Sequence, residues 1–432
     1  IPEEAEERLV RMLSGQVSNG GAIPVIKKDH NPGHESAPKP EEFRSDDCLW
    51  FFNSVPAFIA ETGKWDFLNK IVPYGDKGEA TVYGHLKQAL LFNLERMGAD
   101  GLPCGLLADW NDCLKLGYKG QSLFVAFQLR LGLTTYSDIS LRLGKEEESK
   151  WALTEREKLD SAIQKKCWDG KWFIWAITED GQVYGTKSME EGQVYFNTQV
   201  WAVLSNAATP EQAKQCLETV KEKLATPYGL MLCAPSFVKA PRDTMSAVVF
   251  NAGIKENAGI FNHTQGWGVI AETLMGNGDR AYEYCKAALP ASYNDRAEIR
   301  QSEPYVVGQT TYSTYSPRAG NCRVSWLSGA ATWNYYSTTQ YILGIRPQYE
   351  GMLIDPCIPH DWDGFSVKRR WRGKILNIKV ENPEHINKGI SYIEVNGTKL
   401  DAAVIPFDML KDQNEIKAVM GKDAKEVPVE RL

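Results

Sequence analysis

The sequence of 432 residues lacks several features that mark common functional classes. No apolar run approaches the ~18 residues that a membrane-spanning helix needs, so no membrane partner is expected. There is no long run of lysine or arginine, and the net charge of −6 argues against nucleic acid as a partner. The nine cysteines are scattered without a CxxC pair, which predicts reduced thiols and a cytoplasmic location rather than a zinc site or disulfide framework.

Nucleotide and metal chemistry also find no support in the sequence. The Walker-type phosphate loop, the GxGxxG turn, the HExxH zinc motif and the GxSxG nucleophile elbow are all missing. We therefore predict a protein that uses neither a metal ion nor an organic cofactor.

Aromatic residues, in contrast, are frequent, with 13 Trp and 18 Tyr, an excess that suits a sugar-binding cleft as well as a core. The stretch GLPCGLLADWNDCL at 101–114 places two acids, an amide and an indole side by side at Asp109–Asp112. A carboxyl group beside an aromatic ring is typical of a general acid next to a carbohydrate. The alternative interpretation of these residues is the capped start of a helix, with the tryptophan simply buried.

Four further stretches combine polar and aromatic residues: 44–50, 256–267, 303–309 and 323–333. His263 precedes a predicted helix, where backbone N–H groups attract an anion, although a lone histidine there is often a cap or a core residue. Ser328 and Gly329 lie among small residues, where a backbone could approach an oxyanion or where two helices could simply pack closely. An ordinary loop and a capped helix are the alternatives for 303–309 and 44–50.

Helical periodicity dominates the first 344 residues, and alternating long and short connections indicate helix pairs in a closed toroid. Helices are predicted at 2–15, from the caps at 45–47 to about 61, and at 79–98, 120–144, 147–167, 195–207, 210–225, 265–275, 278–290 and 326–343. After 344, β-branched residues alternate between turn signals, which predicts an all-β domain at 345–432. The last twenty residues, charged and weakly patterned, are expected to fray.

With these stretches side by side, the sequence resembles the inverting β-glycoside phosphorylases of the cellobiose/chitobiose phosphorylase family, glycoside hydrolase family 94. The similar segments follow the family order: ADWNDCL at 108–114, ENAGIFNHTQGW at 256–267, EPYVVGQ at 303–309, SWLSGAATW at 325–333 and GIRPQYEGMLIDPCIPHDWDGF at 344–365. The resemblance implies a mainly α fold, an (α/α)6 toroid over 1–344 that is incomplete at its N-terminus, and a small all-β C-terminal domain. It also implies a longer polypeptide with upstream segments that hold phosphate and the donor sugar.

The resemblance assigns roles to individual residues of this sequence. Asp112 is expected to be the general acid, and the roles of the others are expected to be sugar binding for Trp110, Glu256 and Gln265, and phosphate binding for His263, Gln309, Ser328 and Gly329. Ser328 stands where the family often has threonine, and serine keeps the hydroxyl. The role of Asp109 is expected to be capping or support.

The expected reaction is phosphorolysis of a short β-glucoside, cellobiose or a close relative, to an α-glucose 1-phosphate, with inorganic phosphate as co-substrate and no cofactor. Cellodextrin, laminaribiose and chitobiose are alternative substrates, and a homodimer is usual in the resembled family. An inverting glycosidase is a rival reading; it needs a second carboxylate roughly 6.5–9.5 Å from the acid, for which Glu256 and Glu303 are the candidates. A non-catalytic carbohydrate-binding fragment is the remaining alternative.

Overall fold

The computed structural model describes residues 1–326, 328–400 and 402–423, and all structural statements concern these residues. Helices dominate as far as residue 342. In chain order they are α1 (Pro2–Leu13), α2 (Phe51–Thr62), α3 (Val82–Leu94), α4 (Leu123–Arg142), α5 (Glu146–Lys166), α6 (Phe196–Leu204), α7 (Pro210–Lys223), α8 (Asn262–Leu274), α9 (Gly278–Ala288), α10 (Ala297–Arg300) and α11 (Ser328–Ser337), which a π-helical turn at Thr338–Ile342 extends. None of the helices in the described ranges is long and apolar enough to cross a membrane.

The helices predicted from periodicity are all present, with ends that shift by a few residues. The largest difference lies at 45–50, where a 3-10 turn at Asp47–Trp50 precedes α2. The predicted caps are wrong: the Ser45 hydroxyl donates to the carbonyl of Gly105 (3.1 Å), and Asp46 accepts a hydrogen bond from the Trp50 indole (2.9 Å). Ser45 is therefore engaged in a tertiary contact and Asp46 in a local side-chain contact, and neither side chain caps the helix.

The helices alternate between inner and outer positions. Helices α2, α4, α6, α8 and α11 pack against one another in that order, and α1, α3, α5, α7 and α9 each pack against an inner neighbour. Sequence composition follows this division, since every residue of α6 is buried, whereas the charged helix α5 buries only four of its residues. The arrangement agrees with a helical toroid, and the count of six pairs remains a prediction.

Large aromatic rings fill the centre where the inner helices meet. This aromatic centre consists of Trp50, Phe124, Trp201, Trp267 and Trp333. Ring centroids lie 5.6 Å apart for Trp50 and Trp201, and 5.8 Å apart for Trp267 and Trp333. Because the five rings come from or adjoin different inner helices, their edge-to-face and stacked contacts hold the helices around one point.

Short strands connect the helices, and longer strands form the C-terminal part. The strands are β1 (Ile71–Pro73), β2 (Glu79–Thr81), β3 (Cys104–Leu106), β4 (Gly117–Ser122), β5 (Ala176–Ile177), β6 (Val183–Tyr184), β7 (Val194–Tyr195), β8 (Ala225–Thr226), β9 (Gly229–Leu230), β10 (Cys233–Ala234), β11 (Ile260–Phe261), β12 (Thr310–Thr311), β13 (Cys322–Arg323), β14 (Ile345–Pro347), β15 (Gly351–Ile354), β16 (Gly364–Trp371), β17 (Lys374–Glu381), β18 (Ile390–Val395), β19 (Thr398–Leu400), β20 (Val404–Pro406) and β21 (Gln413–Met420).

The C-terminal strands form a three-stranded sheet, β14-β15-β20, and a five-stranded sheet in the order β16-β17-β21-β18-β19. The expectation that the last twenty residues fray is wrong for β21, which lies in the middle of the larger sheet. It pairs in parallel with β17 and antiparallel with β18, and its apolar side chains alternate into the core. Residues 424–432 lie outside the described residues.

The C-terminal sheets rest on the carboxyl end of α2. The Arg372 guanidinium donates to the carbonyls of Ile59 and Ala60, and the Trp371 indole donates to Ala60 as well (3.2 Å). A cation at this end of a helix satisfies carbonyls that have no partner within the helix. The opposite, amino-terminal ends of α8 and α11 carry the candidate site.

Candidate active site

The loop at Asp109–Asp112 turns its side chains alternately into and out of the protein. Asp109 is buried, and its carboxylate accepts hydrogen bonds from the Ser122 hydroxyl and the Asn111 N–H, both at 2.7 Å. Asn111 is also buried, and its amide donates to the Tyr195 hydroxyl (3.1 Å). These bonds agree with a supporting role for Asp109. They leave Trp110 and Asp112 on the other side of the loop, where the Asp112 side chain is 57% exposed.

Trp110 connects this loop to the start of α8. Its indole N–H donates to Nδ1 of His263 (3.2 Å), and its ring packs on Phe261 and Trp267. Because Nδ1 of His263 accepts this bond, we assign the proton of the neutral imidazole to Nε2, which makes Nε2 a donor. Burial lowers the pKa of His263 to about 4, so the imidazole is neutral at pH 7.

A three-stranded sheet gathers the segments that carry His263, Gln309 and Ser328. Strand β11 ends two residues before His263, β12 begins directly after Gln309, and β13 lies shortly before Ser328; β12 is the middle strand. The backbone of Gln309 completes the junction: its carbonyl accepts from Asn262 (2.8 Å), and its N–H donates to the carbonyl of Val324 (2.9 Å). Three segments distant in sequence therefore meet beside Trp110.

Ser328 is the first residue of α11, and its side chain lies outside the part of the structure that is described. Gly329 follows in the first turn and is exposed; among the described atoms, none lies within 4 Å of the point that its Cβ would occupy. The backbone here is therefore open to the approach of a ligand. Val324 and Trp326, just upstream, have left-handed φ values of 53° and 70°, which residues with a Cβ rarely adopt.

Glu256 lies in the loop before α8 and is 8% exposed. One of its carboxylate oxygens, Oε2, is buried and has no hydrogen-bond partner among the described residues. Burial raises the pKa of Glu256, and the charge of Asp112 contributes in the same direction. Glu256 therefore lies within electrostatic range of Asp112, and its buried Oε2 has no partner among the described residues.

Two candidate residues, Gln265 and Glu303, have side chains that already form hydrogen bonds within the protein. Gln265 is 1% exposed, and its amide bonds to the backbone of Leu230 at both ends (2.7 and 3.0 Å). Its polar atoms hold β9 against α8, and sugar binding by Gln265 stays a prediction. Glu303 is half-buried, and its carboxylate accepts a hydrogen bond from the Trp326 indole (3.0 Å). Its own backbone N–H and this bond lower the pKa of Glu303.

The residues whose role the sequence did not reveal lie at 44–47. Arg44 forms an ion pair with Asp112. Asp46 and Asp47 each have a buried carboxylate oxygen without a hydrogen-bond partner among the described residues. Burial raises the pKa of Asp46 well above its ordinary value and that of Asp47 to about 7, and it raises the pKa of Asp109 to about 6. The only signal in the sequence was the run of charged residues before Trp50.

No group of three or more histidine, cysteine or acidic side chains in the described ranges is arranged to hold a metal ion. The nine cysteines are all buried and unpaired. The donors and acceptors that converge at the site are an indole, an imidazole, carboxyl groups and the backbone at the starts of two helices. Such a set can bind sugar hydroxyls and an oxyanion.

Comparison with known proteins shows the family of the chain and several of its relatives. The glycosyl hydrolase 94 superfamily, catalytic domain, matches residues 1–344. A protein of Vibrio proteolyticus named N,N'-diacetylchitobiose phosphorylase is 37% identical over 442 residues, which cover 97% of this chain and 55% of the relative. Solabiose phosphorylase of Paenibacillus borealis is 31% identical over 94% of this chain and 52% of the relative. The chain thus spans about half the length of the curated relatives it matches.

Solved structures show a more distant likeness. A sialidase aligns with 82% of this chain and 32% of its own at a TM-score of 0.58 and 15% identity. A GH78 family rhamnosidase of Bacillus sp. GL1 aligns with 81% of this chain and 35% of its own at a TM-score of 0.52 and 14% identity. These two likenesses concern the fold alone. The family match over residues 1–344, by contrast, shows that the chain belongs to the glycosyl hydrolase 94 superfamily.

Proposed function

We propose that the protein carrying this chain catalyses the reversible, inverting phosphorolysis of a short β-linked disaccharide to an α-glycosyl 1-phosphate and a free sugar. The observation that carries this proposal is the junction at Trp110, which joins the loop of Asp112 to His263, Gln309 and the start of α11. A carboxyl group and an anion-binding surface are thereby brought to one site. Relatives named as phosphorylases of diacetylchitobiose and solabiose support the same reaction class.

In the proposed reaction, Asp112 acts as the general acid. It donates a proton to the glycosidic oxygen as the bond from C1 to that oxygen breaks, and a phosphate oxygen bonds to C1 from the opposite face. An inverting hydrolase needs a second carboxylate to deprotonate water, but phosphate is already an anionic nucleophile. A single acid is therefore sufficient.

The phosphate side of the site supplies hydrogen bonds instead of a histidine cation. His263 is neutral and presents Nε2–H, and the backbone N–H groups at the starts of α8 and α11 favour an anion. Ser328 and Gln309 remain proposed phosphate ligands. Donors that are fixed before the reaction stabilise the charge of the nucleophile and set its line of attack.

The sugar side is formed by Trp110 and Glu256. The half-buried indole offers an apolar face, and the unpartnered Oε2 of Glu256 can accept a sugar hydroxyl in the acceptor subsite. The burial of Glu256 also weakens the alternative that the protein is a glycosidase in which this residue is the general base. A general base must be ionised to take a proton from water, whereas burial favours the protonated form of Glu256.

Three parts of the proposal reach beyond this chain. Upstream segments of the longer polypeptide complete the phosphate and donor-sugar sites, as the length of the relatives supports. Two chains form a homodimer, by analogy with the resembled family. A cytoplasmic location is supported by the nine unpaired cysteines.

The test is NMR of the complete polypeptide with cellobiose, N,N'-diacetylchitobiose and solabiose, each with and without inorganic phosphate. Cellobiose is the substrate expected from the sequence, and the other two sugars are tested because they appear in the names of relatives. An α-sugar 1-phosphate that forms only with phosphate would support the proposal and identify the substrate. Sugar release that is equal without phosphate would favour a hydrolase, and binding without product would favour a carbohydrate-binding role.

A further inference from the structure

The ion pair between Arg44 and Asp112 joins two segments that are far apart in sequence. The backbone fixes Arg44 beside the acid loop, because residue 44 bridges to both Leu106 and Ala108. The N–H of Ser45 also donates to the carbonyl of Ala108 (3.1 Å). The Asp112 side chain is 57% exposed and that of Arg44 is 33% exposed, so the pair lies at the open side of the site.

Several charged groups face this pair. Asp47, Asp109 and Glu256 each interact electrostatically with Asp112, from the turn before α2, the acid loop itself and the loop before α8. Arg44 interacts with Asp46, Asp47 and Asp109 in addition to its contact with Asp112. Arg44 is thus in contact with one carboxyl group, that of Asp112, and interacts at longer range with three others.

The pair conflicts with one direction of the proposed reaction and suits the other. A neighbouring guanidinium stabilises the carboxylate form of an acid. In phosphorolysis, Asp112 must carry a proton when it acts. In synthesis, by microscopic reversibility, the carboxylate must take the proton of the acceptor hydroxyl. The substrate-free site therefore pairs Asp112 with a cation, a contact that suits the form of the acid that synthesis uses.

We propose that Arg44 is a positioning residue that holds Asp112 as a carboxylate between turnovers, and that binding of the β-glycoside breaks the pair and lets Asp112 take up a proton. This inference rests on the proposed function. The proton comes from solvent on binding, passes to the glycosidic oxygen as the C1–oxygen bond breaks, and leaves Asp112 ionised to pair with Arg44 again. Asp47, with which Arg44 interacts electrostatically, is the neighbouring carboxyl group that remains near the guanidinium meanwhile.

Proton uptake on binding is the first test. The complete polypeptide is titrated with its disaccharide at pH 8 without phosphate, so that no turnover occurs, in buffers of different ionisation enthalpy. We expect an uptake approaching one proton per site in the wild type and its loss in Asp112→Asn. An uptake that is absent, or that persists in Asp112→Asn, would overturn the inference.

The second test is the pH dependence of kcat/KM, which reports the free enzyme, in both directions. Replacement of Arg44 by a neutral residue removes the positive charge that contacts the Asp112 carboxyl group, and a neighbouring positive charge favours the ionised form of an acid. In Arg44→Gln, the alkaline limb of the pH profile for phosphorolysis and the acidic limb of the profile for synthesis should both move to higher pH. The expected shift is roughly 0.5–1 pH unit for a partly exposed pair. Arg44→Lys keeps the charge and should move them less. Arg370→Gln, an exposed arginine of β16, is the control and should leave both limbs in place.

Circular dichroism tests whether the variants fold. If Arg44→Gln does not fold, Arg44→Met is the second variant with a neutral side chain. Unchanged limbs in a folded neutral variant would show that Arg44 has only a structural role. A wild type without phosphate-dependent turnover would overturn the proposed function itself. An active wild type with unmoved limbs would overturn this inference alone.

Discussion

The two sides of the site differ in charge and respond to burial in the same way. The acid side contains Asp47 and Asp109, whose pKa values burial raises to about 7 and about 6. The phosphate side contains His263, whose pKa burial lowers to about 4. Burial disfavours the charged form of an acid and of a base alike, so both sides tend toward neutrality. The difference supports our proposal that the phosphate anion binds on the side of the neutral imidazole.

Trp110 lies at the border between the two sides. Its ring packs against the aromatic centre through Trp267, and its indole N–H bonds to His263. Trp110 therefore connects the loop of Asp112 directly to the imidazole. The proposed reaction requires an acid on one face of a sugar and an anion on the opposite face, so we expect this connection to matter for their alignment.

The largest effect is expected on the acid side. Asp112→Asn removes the proton donor, and phosphorolysis should fall by about 10²–10⁴-fold or more while sugar binding is nearly unchanged. Steady-state rates and calorimetric binding measure the two quantities. A β-glycosyl fluoride, whose leaving group needs little proton donation, is the control substrate and should retain far more of its rate. Near-normal turnover of the disaccharide by the variant would show that another residue is the acid.

An intermediate effect is expected on the phosphate side. His263→Ala removes the Nε2–H donor, so the KM for phosphate should rise by roughly tenfold, the value of one lost hydrogen bond to a charged group, with a smaller change in the KM for the sugar. Initial rates at varied phosphate measure this. His385→Ala, a half-exposed histidine that contacts His360 of the C-terminal part, is the matched control. An unchanged phosphate dependence would remove His263 from the phosphate site.

The smallest effect is a pH dependence of stability with opposite sign on the two sides. The raised pKa of Asp47 means that the stability contributed by its protonated form is lost as pH rises from about 4 to about 7. The lowered pKa of His263 means that stability is lost as pH falls from about 6.5 to about 4. For Asp47→Asn, the change in Tm relative to wild type should therefore be more positive at pH 8 than at pH 5. For His263→Gln, the change in Tm should be more positive at pH 5 than at pH 8.

Thermal unfolding by circular dichroism at both pH values measures these differences, which should be on the order of 1–3 °C for a chain of this size. Asp66→Asn, on the 3-10 turn Trp65–Asn69, serves as a control outside the site. Equal changes in Tm at pH 5 and pH 8 for Asp47→Asn would mean that this carboxyl group is ionised in the folded protein.

Local sequence patterns were sufficient for most of the fold. Helix periodicity located the long helices to within a few residues, and alternation with β-branched residues indicated the strands after 344. The polar-aromatic stretches identified the segments that meet at the site. The pattern failed for β21, whose charged residues alternate with apolar ones; its position in the middle of a sheet depends on pairing with β17, more than thirty residues earlier.

The sequence by itself determined which residue types stand near the site, because those types occur in short continuous stretches. The tertiary structure alone decided which of them are available. Asp109 forms a hydrogen bond with Ser122, and Gln265 forms hydrogen bonds with Leu230. Asp112, in contrast, is exposed beside Arg44. Periodicity and propensity arise from neighbours along the chain, but burial, ion pairing and hydrogen bonding depend on segments tens of residues away that only the folded chain brings together.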